Sequence, residues 1–377
     1  MRMKTMMSGM AAAFLLAAGT VLPAAEAGKP WPEFRLRGID TAICVPTESG
    51  FLDEAFFRRL AEWNVNVVRV AFSVDRKSPW DVKADDPVPP VPADDPMLPY
   101  RKNLEGLEQV VRFAKKYNIY VVPALFNVVG RQGDFMLRFK DGDEGYYANV
   151  APVWEHLARR YRDEKQVLAY DILNEPNGHH ARVWRDRFAQ ETVDRIRAVD
   201  PDTWIIYEPP PWSLPDQAFE EIEPLAGDRL VYSFHFYYPH SYTHQGIGGY
   251  RKPEFRRPYP GMLRNFSDNK PQLWDKAMLE KSMRNVIEFR KKHGVKIFVG
   301  EFGVIRWAEG SDRWLKDAIE LFEANGWDWT FHSYYEWNGW NPTCSADDPP
   351  AGTGDGGRNT PMLQVLTGYW KQNHSRD

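Results

Sequence analysis

The sequence predicts an α/β fold, a closed (β/α)8 TIM barrel in which eight parallel strands alternate with helices. Short runs that are apolar on both faces, typical of buried parallel strands, alternate with amphipathic stretches of helical spacing. Eight such units over about 350 residues fit a single barrel domain with loop insertions at its C-terminal face. A doubly wound open sheet is the alternative, but no G-x-G-x-x-G or P-loop segment follows the first run.

The predicted strands share an apolar run of five to eight residues, and they cover 34–39, 65–70, 119–125, 166–173, 203–207, 229–236, 296–300 and 328–335. The predicted helices share apolar residues at three- and four-residue spacing, and they cover 52–63, 104–117, 147–161, 181–199, 272–294 and 311–326. Gly294, Gly326 and the Asp200-Pro201 pair mark helix ends. One barrel domain over 28–377 follows from this order.

The first 27 residues have the pattern of a secretory signal peptide. Arg2 and Lys4 precede an apolar stretch over 11–22, and an A-x-A site occupies 25–27. An uncleaved anchor is the alternative, although the apolar part is short for a permanent one. We therefore expect export to the periplasm or the exterior, with the mature chain starting near Gly28.

The charged residues are balanced and spread along the chain. There are 48 basic and 52 acidic residues, a net charge of -4, and this balance gives no basic surface for nucleic acid or an anionic membrane. The chain is rich in aromatic residues, with 15 Trp, 17 Tyr and 21 Phe. These features favour a neutral ligand.

Polar and aromatic side chains occur at the ends of five predicted strands. In a barrel these ends meet at the C-terminal face, where barrel enzymes assemble their sites. The residues are Arg69, Glu175, His235 with Tyr237, Glu301, and Trp337. A single strand-terminal glutamate is often a solvated loop residue or a helix cap. Two carboxylates facing each other across a barrel mouth, however, are what glycosidic bond cleavage needs.

The pair Asn174-Glu175 ends the fourth predicted strand and Glu301 ends the seventh. With these motifs the sequence resembles glycoside hydrolase family 5 over essentially the whole mature chain. The resemblance implies that Glu175 is the general acid and base, and that Glu301 is the nucleophile of a retaining mechanism. It implies carboxyl groups about 5–5.5 Å apart, a sugar substrate, and no metal or organic cofactor.

The resemblance also implies roles for five further residues. Arg69 and Tyr237 would contact the nucleophile, and Asn174 would hold the sugar 2-hydroxyl. His235 would orient the acid/base or a substrate hydroxyl, and Trp337 would form a stacking floor beneath the sugar.

One segment departs from the family pattern. Family members usually carry a histidine near the end of the third strand, where this chain has Phe126 and Asn127. Asn127 could bind a sugar hydroxyl instead, so the departure affects the expected shape of the cleavage subsite.

The resemblance favours an exported endo-β-1,4-glucanase acting on a β-linked polysaccharide, in the manner of a cellulase. A β-mannanase or another β-glycosidase of the same clan is the alternative. A catalytically inactive carbohydrate-binding barrel is an alternative of another class, although binding alone does not require two opposed carboxylates.

The two cysteines lie in loops that a closed barrel brings together. Cys44 follows the first predicted strand and Cys344 follows the eighth, and these strands are neighbours in a barrel. Because an exported chain meets an oxidising compartment, we predict a Cys44–Cys344 disulfide, with two free thiols as the alternative.

Overall fold

The structure, a computed structural model, describes residues 28–42, 52–75, 95–128, 147–177, 183–265 and 270–373. Eight parallel strands close into a barrel in the order β1-β10-β9-β6-β5-β4-β3-β2, which confirms the predicted (β/α)8 architecture. The barrel strands are β1 (Arg37–Ala42), β2 (Val67–Ser73), β3 (Tyr120–Asn127), β4 (Ala169–Asp171), β5 (Trp204–Tyr207), β6 (Leu230–Phe236), β9 (Lys296–Phe302) and β10 (Asp328–His332).

Helices follow the strands and cover the outside of the barrel. The helices are α1 (Glu54–Glu62), α2 (Arg101–Lys116), α3 (Val150–Tyr161), α4 (Ala189–Arg197), α5 (His240–Thr243), α6 (Lys276–Ser282), α7 (Arg284–His293), α8 (Ser311–Ala324) and α9 (Pro361–Trp370). A π-helical turn at Trp184–Phe188 leads into α4. In the described residues the predicted helices therefore recur, with ends that shift by a few positions.

The predicted helix over 272–294 is wrong at its start. Residues Gln272–Trp274 form β8, which pairs antiparallel with β7 (Gly261–Leu263) in a separate two-stranded sheet. Helix α6 begins only after Asp275, whose side chain accepts a hydrogen bond from the Met278 N–H as an N-cap. Helix α7 ends at Gly294, which has a left-handed conformation that glycine adopts easily.

Helix α9 is an element that the strand and helix pattern did not predict. Thr360 caps it by accepting from the Leu363 N–H, and a proline occupies its first turn. Its Trp370 stacks on Trp63 at 5.6 Å between ring centroids. The C-terminal helix thus packs beside the first helix of the barrel.

Two apolar clusters occupy opposite faces of the strands. The larger one fills the space between strands and helices. The smaller one contains residues of six barrel strands and Trp31, and Trp31 donates from its indole Nε1 to Asp328 at 2.9 Å. Because side chains alternate between faces along a strand, the smaller cluster lies inside the barrel.

The inward face of several strands changes from apolar to charged along the chain direction. Residues two apart share a face, so Val67 of the smaller cluster is followed on the inner face of β2 by Arg69. In the same way Ile206 is followed by Glu208. The barrel interior is therefore apolar at the bottom and charged at its C-terminal end.

The predicted Cys44–Cys344 disulfide is not supported. Cys344 is buried and carries a free thiol, and Cys44 lies outside the described residues. Among the described residues, no helix has the length and apolar character needed to cross a bilayer. The predicted signal peptide also lies outside the described residues.

Candidate active site

A fully buried guanidinium lies at the centre of the charged end of the barrel. Arg69 donates to Asp171 Oδ2 at 2.8 Å, Asp40 Oδ1 at 2.8 Å, Glu301 Oε1 at 2.9 Å, Asn174 Oδ1 at 2.7 Å and Glu208 Oε1 at 2.7 Å. Burial acts to lower the pKa of Arg69, but the surrounding carboxylates raise it well above its usual value. Arg69 therefore remains a cation and compensates the buried acids around it.

Glu301 lies near the end of β9 and is held by two donors. Arg69 binds its Oε1, and the Tyr237 hydroxyl donates to its Oε2 at 2.9 Å. Burial alone would raise the pKa of Glu301, but the positive charges of His235, Arg69 and His332 outweigh it and lower the pKa. An ionised carboxylate held on both oxygens is suited to nucleophilic attack.

Glu175 follows β4 in a conformation that is unusual for a glutamate, with φ of 44°. Its N–H donates to Glu208 Oε2 at 2.7 Å, which helps to hold this strained backbone. Burial, with the charges of Glu301 and Glu208, raises the pKa of Glu175 against the opposing effect of His235. A carboxyl that keeps its proton is suited to general acid catalysis.

His235 lies between the two glutamates and Glu208. Its Nδ1 is 2.6 Å from Glu175 Oε1 and 3.7 Å from Glu301 Oε2, and its Nε2 is 3.3 Å from Glu208 Oε1. Burial would lower the pKa of His235, but the carboxylates of Glu208 and Glu301 and the hydrogen bond to Glu175 raise it well above its usual value. The imidazolium thus neutralises charge on both sides of the site.

A register shift between β6 and β9 creates this arrangement. Phe234 pairs with Val299, whereas His235 pairs with Glu301, so Gly300 is passed over. A Cβ on Gly300 would lie 3.1 Å from His235 Nε2 and 2.6 Å from the Ser233 hydroxyl. Glycine at this bulge therefore lets His235 approach the end of β9, as bulges beside active sites commonly do.

Two triads of the site have ligand-type atoms within 4.8 Å of one another: Glu175 with His235 and Glu301, and Asp40 with Glu301 and His332. Both share Glu301, which already accepts from the Arg69 guanidinium. This cation supplies the positive charge that the carboxylates need, so we assign no metal to either triad.

Trp337 and Asn127, the two remaining predicted site residues, lie beyond the end of β10 and at the end of β3. Strand β10 ends at His332, so Trp337 lies five residues beyond the strand end where it was expected. Trp337 is half-buried and packs on Trp307 at 6.2 Å and Trp340 at 6.4 Å between ring centroids. Asn127 is the last residue of β3, and its side chain lies outside the described part of the chain.

Other residues close to the predicted segments show the same strand-end signal. Phe126 of β3, noted as a departure from the family pattern, has its ring centroid 5.4 Å from the Arg69 guanidinium carbon. Four charged residues near the glutamates were not predicted: Asp40, Asp171, Glu208 and His332. Asp40 and Glu208 directly follow a predicted strand, so a search of every strand end would have found them. Asp171 and His332 lie inside predicted strands and carry no such signal.

Sequence comparison relates the chain to a glycosyl hydrolase family. The sequence model described as Cellulase (glycosyl hydrolase family 5) matches residues 25–339. Endoglucanase C of Acetivibrio thermocellus is 27% identical over 307 residues, which are 76% of this chain and 87% of that protein. Cellodextrinase A of Ruminococcus flavefaciens is 27% identical over 231 residues, covering 58% of this chain and 64% of that protein.

Solved structures share the fold. Thermotoga maritima Cel5A, solved in complexes with cellobiose and with mannotriose, superposes with a TM-score of 0.65 at 20% identity over 88% of this chain and 96% of that chain. A cellulose synthase subunit of Clostridioides difficile has a TM-score of 0.62 at 21% identity, covering 88% and 99% of the two chains. With a sequence model that spans most of its length and the barrel that these structures share, the chain belongs to glycoside hydrolase family 5.

Proposed function

We propose that the protein is an exported, retaining endo-β-1,4-glucanase whose acid/base is Glu175 and whose nucleophile is Glu301. The observation that carries this is a pair of carboxyl groups with oppositely shifted pKa values, raised for Glu175 and lowered for Glu301. Two environments that separate the pKa values of neighbouring acids assign one as acid and the other as base or nucleophile.

The spacing of the pair supports retention of anomeric configuration. One oxygen of Glu175 and one of Glu301 lie within 4.8 Å of each other. Retaining enzymes hold their carboxyl groups about 5–5.5 Å apart, whereas inverting enzymes need about 6.5–9.5 Å to admit a water molecule. The gap between Glu175 and Glu301 favours direct attack on the sugar.

In the first step Glu301 attacks the anomeric carbon while the bond to the leaving oxygen breaks. Glu175 gives its proton to that oxygen, so the leaving chain departs as a neutral alcohol. Arg69 and Tyr237 hold the two oxygens of Glu301, which aims the attacking atom and limits its motion. The product of this step is a glycosyl ester of Glu301.

In the second step the ionised Glu175 takes a proton from water, and that water attacks the anomeric carbon. The ester bond to Glu301 breaks, which regenerates the carboxylate and releases the sugar with its original configuration. His235 contacts Glu175 at 2.6 Å, so it stabilises the charge that Glu175 carries between the two steps.

The β-1,4-glucan assignment comes from the family and from the names of the relatives, endoglucanase C and cellodextrinase A. Export follows from the basic start, apolar core and A-x-A site of residues 1–27. Asn174 and Trp337 are proposed to bind the sugar at the cleavage point, and Asn127 to bind a hydroxyl beside it. A β-mannanase remains the alternative that a substrate panel separates.

The first experiment compares the native chain from residue 28 with Glu175→Ala and Glu301→Ala on cellulose, mixed-linkage β-glucan, β-mannan and xylan. Loss of the proton donor is expected to reduce the rate by about 10²–10⁴-fold, and loss of the nucleophile by about 10⁴-fold or more. Reducing-sugar release measures both. If both variants cut as well as the native protein, these glutamates have no catalytic role.

Azide added to the two variants tests their roles separately. In Glu301→Ala, azide occupies the space of the nucleophile and attacks opposite the leaving group, which gives a product of inverted configuration. In Glu175→Ala, azide attacks the glycosyl ester from the leaving-group side, which gives retained configuration. Proton NMR of the glycosyl azides distinguishes the two, and the same anomer from both variants would contradict the assignment.

The opposite pKa shifts also predict a bell-shaped dependence of kcat/KM on pH. Activity requires Glu301 to be ionised and Glu175 to be protonated. The acid limb should therefore lie below the usual pKa of a glutamate and the basic limb above it. The assigned roles would be contradicted if mutation of Glu175 removed the acid limb, or if mutation of Glu301 removed the basic limb.

An inactive sugar-binding barrel would instead bind an oligosaccharide on the panel without cutting any polysaccharide.

A further inference from the structure

A second histidine lies beside the proposed nucleophile and takes no part in the steps above. His332 is the last residue of β10, and it pairs in register with Asp40 of β1. Its Nδ1 donates to Asp40 Oδ2 at 2.8 Å. This contact fixes the ring, because Asp40 is itself held by Arg69 at 2.8 Å on its other oxygen.

The ring lies near the proposed nucleophile as well as its own partner. A nitrogen of His332, an oxygen of Asp40 and an oxygen of Glu301 all lie within 4.8 Å of one another. The ring centroid lies 6.2 Å from that of Tyr237 and 5.7 Å from that of Trp340. His332 therefore lies between β1 and β9, on the same side of Glu301 as Tyr237.

Three carboxylates around the ring favour its protonated form. Asp40 faces it from β1, Glu301 from β9 and Glu336 from the segment after β10. Burial would lower the pKa of His332, but these carboxylates raise it to about 9.

The nearby basic groups do not prevent His332 from carrying a positive charge. Arg69 is paired with carboxylates on every side of its guanidinium, and His235 faces Glu175 and Glu208. Burial lowers the pKa of His244 well below its usual value, so that ring is neutral. His332 is consequently a cation at neutral pH with Glu301 as one of its closest anions.

We infer that His332 is a positioning residue for the nucleophile: held by Asp40, its imidazolium keeps Glu301 ionised and directed at the anomeric carbon. The inference rests on the proposed function in taking Glu301 as the nucleophile. It adds a third cation, from β10, to His235 of β6 and Arg69 of β2. Neither the strand-end pattern nor the resemblance assigned a role to this histidine.

The variant His332→Asn tests the charge while keeping the contact. An asparagine amide can still donate to Asp40, but it carries no positive charge. An opposite charge within about 4–6 Å lowers a carboxyl pKa by about 1–3 units. We therefore expect the pKa of Glu301, and the acid limb of kcat/KM, to rise by about one unit in this variant, with kcat falling more than KM changes.

The pKa of Glu301 is measured directly by ¹³C NMR of labelled glutamate carboxyls, with Glu301→Gln to assign the resonance. This readout needs no substrate, so it decides the inference even if the native protein cuts no glycan and the proposed function fails. The control is His156→Asn on helix α3, an exposed histidine on the outside of the barrel. It should leave the carboxyl titration and the activity unchanged.

An unchanged Glu301 pKa in folded His332→Asn would overturn the inference, because a purely packing role predicts that result. If the variant does not fold, ¹⁵N NMR of the native protein decides the question. The inference requires a protonated His332 ring at pH 7 and a response of the Glu301 resonance when that ring loses its proton. A neutral ring at pH 7, or no response, would contradict it.

Discussion

The two proposed catalytic glutamates lie in opposite electrostatic surroundings, although both are the same residue type at the same end of the barrel. Glu301 accepts hydrogen bonds from Arg69 and Tyr237, and its net pKa shift is downward. Glu175 is bound by His235, while burial and neighbouring carboxylates raise its pKa. The surroundings, not the residue type, therefore divide the acid from the nucleophile.

The difference originates in the positions of the donors on the strands. Arg69 lies on the inner face of β2 and reaches Glu301 across the barrel, and His332 approaches from the neighbouring β10. On the other side Glu175 has a carboxylate, Glu208, bound to its own backbone N–H. Cations thus surround the nucleophile, whereas the acid shares one cation with two other carboxylates.

Removal of the central guanidinium should have the largest effect. Arg69→Met leaves four buried carboxylates without their common cation, and breaking a buried ion pair in this way costs about 3–5 kcal/mol. Urea unfolding measures the loss, and activity should fall with it because Glu301 loses a hydrogen bond. Glu175 and Glu301 should then no longer differ as strongly in pKa.

The matched control for Arg69→Met is Arg37→Met. Arg37 is also buried, but it pairs with a single glutamate, Glu323, at 2.7 Å, away from the proposed site. We expect a smaller loss of unfolding free energy and a native kcat. Equal losses of stability and activity in the two variants would mean that Arg69 has no special role at the barrel mouth.

The next effect distinguishes the two histidines of the site. The charge of His235 lowers the pKa of both Glu175 and Glu301, so His235→Asn should move both limbs of the pH profile upward. Loss of a hydrogen bond to a charged group costs about 1.5–3 kcal/mol, which is about 10- to 100-fold in rate. The variant His332→Asn should move the acid limb alone, and identical profiles would remove the distinction.

The sequence predicts much of this site, because the site residues obey the two-residue alternation of strands and lie at strand ends. The pattern of apolar runs located Glu175 and Glu301, and two-residue alternation explains why Arg69 points inward from β2. Glu208 gives the same signal, since it directly follows the predicted run 203–207. These residues depend only on local pattern and on the rule that strand ends meet.

The remainder depends on where strands stop and how they slip, which local pattern does not encode. The run 328–335 continues apolar through two tyrosines, so the sequence places the strand end near Trp337, whereas β10 ends at His332. The bulge at Gly300 decides which residue of β9 faces His235. Both features are determined by tertiary structure, when neighbouring strands pair.

A smaller effect is expected for the hydroxyl on the nucleophile side. Burial and the charge of Glu301 raise the pKa of Tyr237 well above its usual value, so its hydroxyl stays a donor at every pH of interest. Tyr237→Phe removes one of two donors to Glu301 and should reduce kcat by about tenfold, with a slight upward move of the acid limb. Steady-state kinetics measures this, and an unchanged kcat would show that Arg69 suffices.

The smallest effect concerns Glu336, a carboxyl on the nucleophile side that the cations do not fully compensate. Burial, with Asp40 and Glu301 nearby, raises the pKa of Glu336 to about 7 against the opposing charge of His332. The folded state therefore holds a proton that the unfolded chain releases between about pH 4.5 and 7. By linkage the unfolding free energy falls as pH rises through this interval and levels off above it.

Glu336→Gln should remove this part of the slope, so that the variant loses less stability than the native protein between pH 5 and 7. Urea unfolding at several pH values measures the difference, with Glu105→Gln on the exposed face of α2 as the control. A native slope in Glu336→Gln would mean that the carboxyl titrates alike in both states. The positive charges around Glu301 would then also compensate Glu336. Uncompensated negative charge would be found only on the side of Glu175.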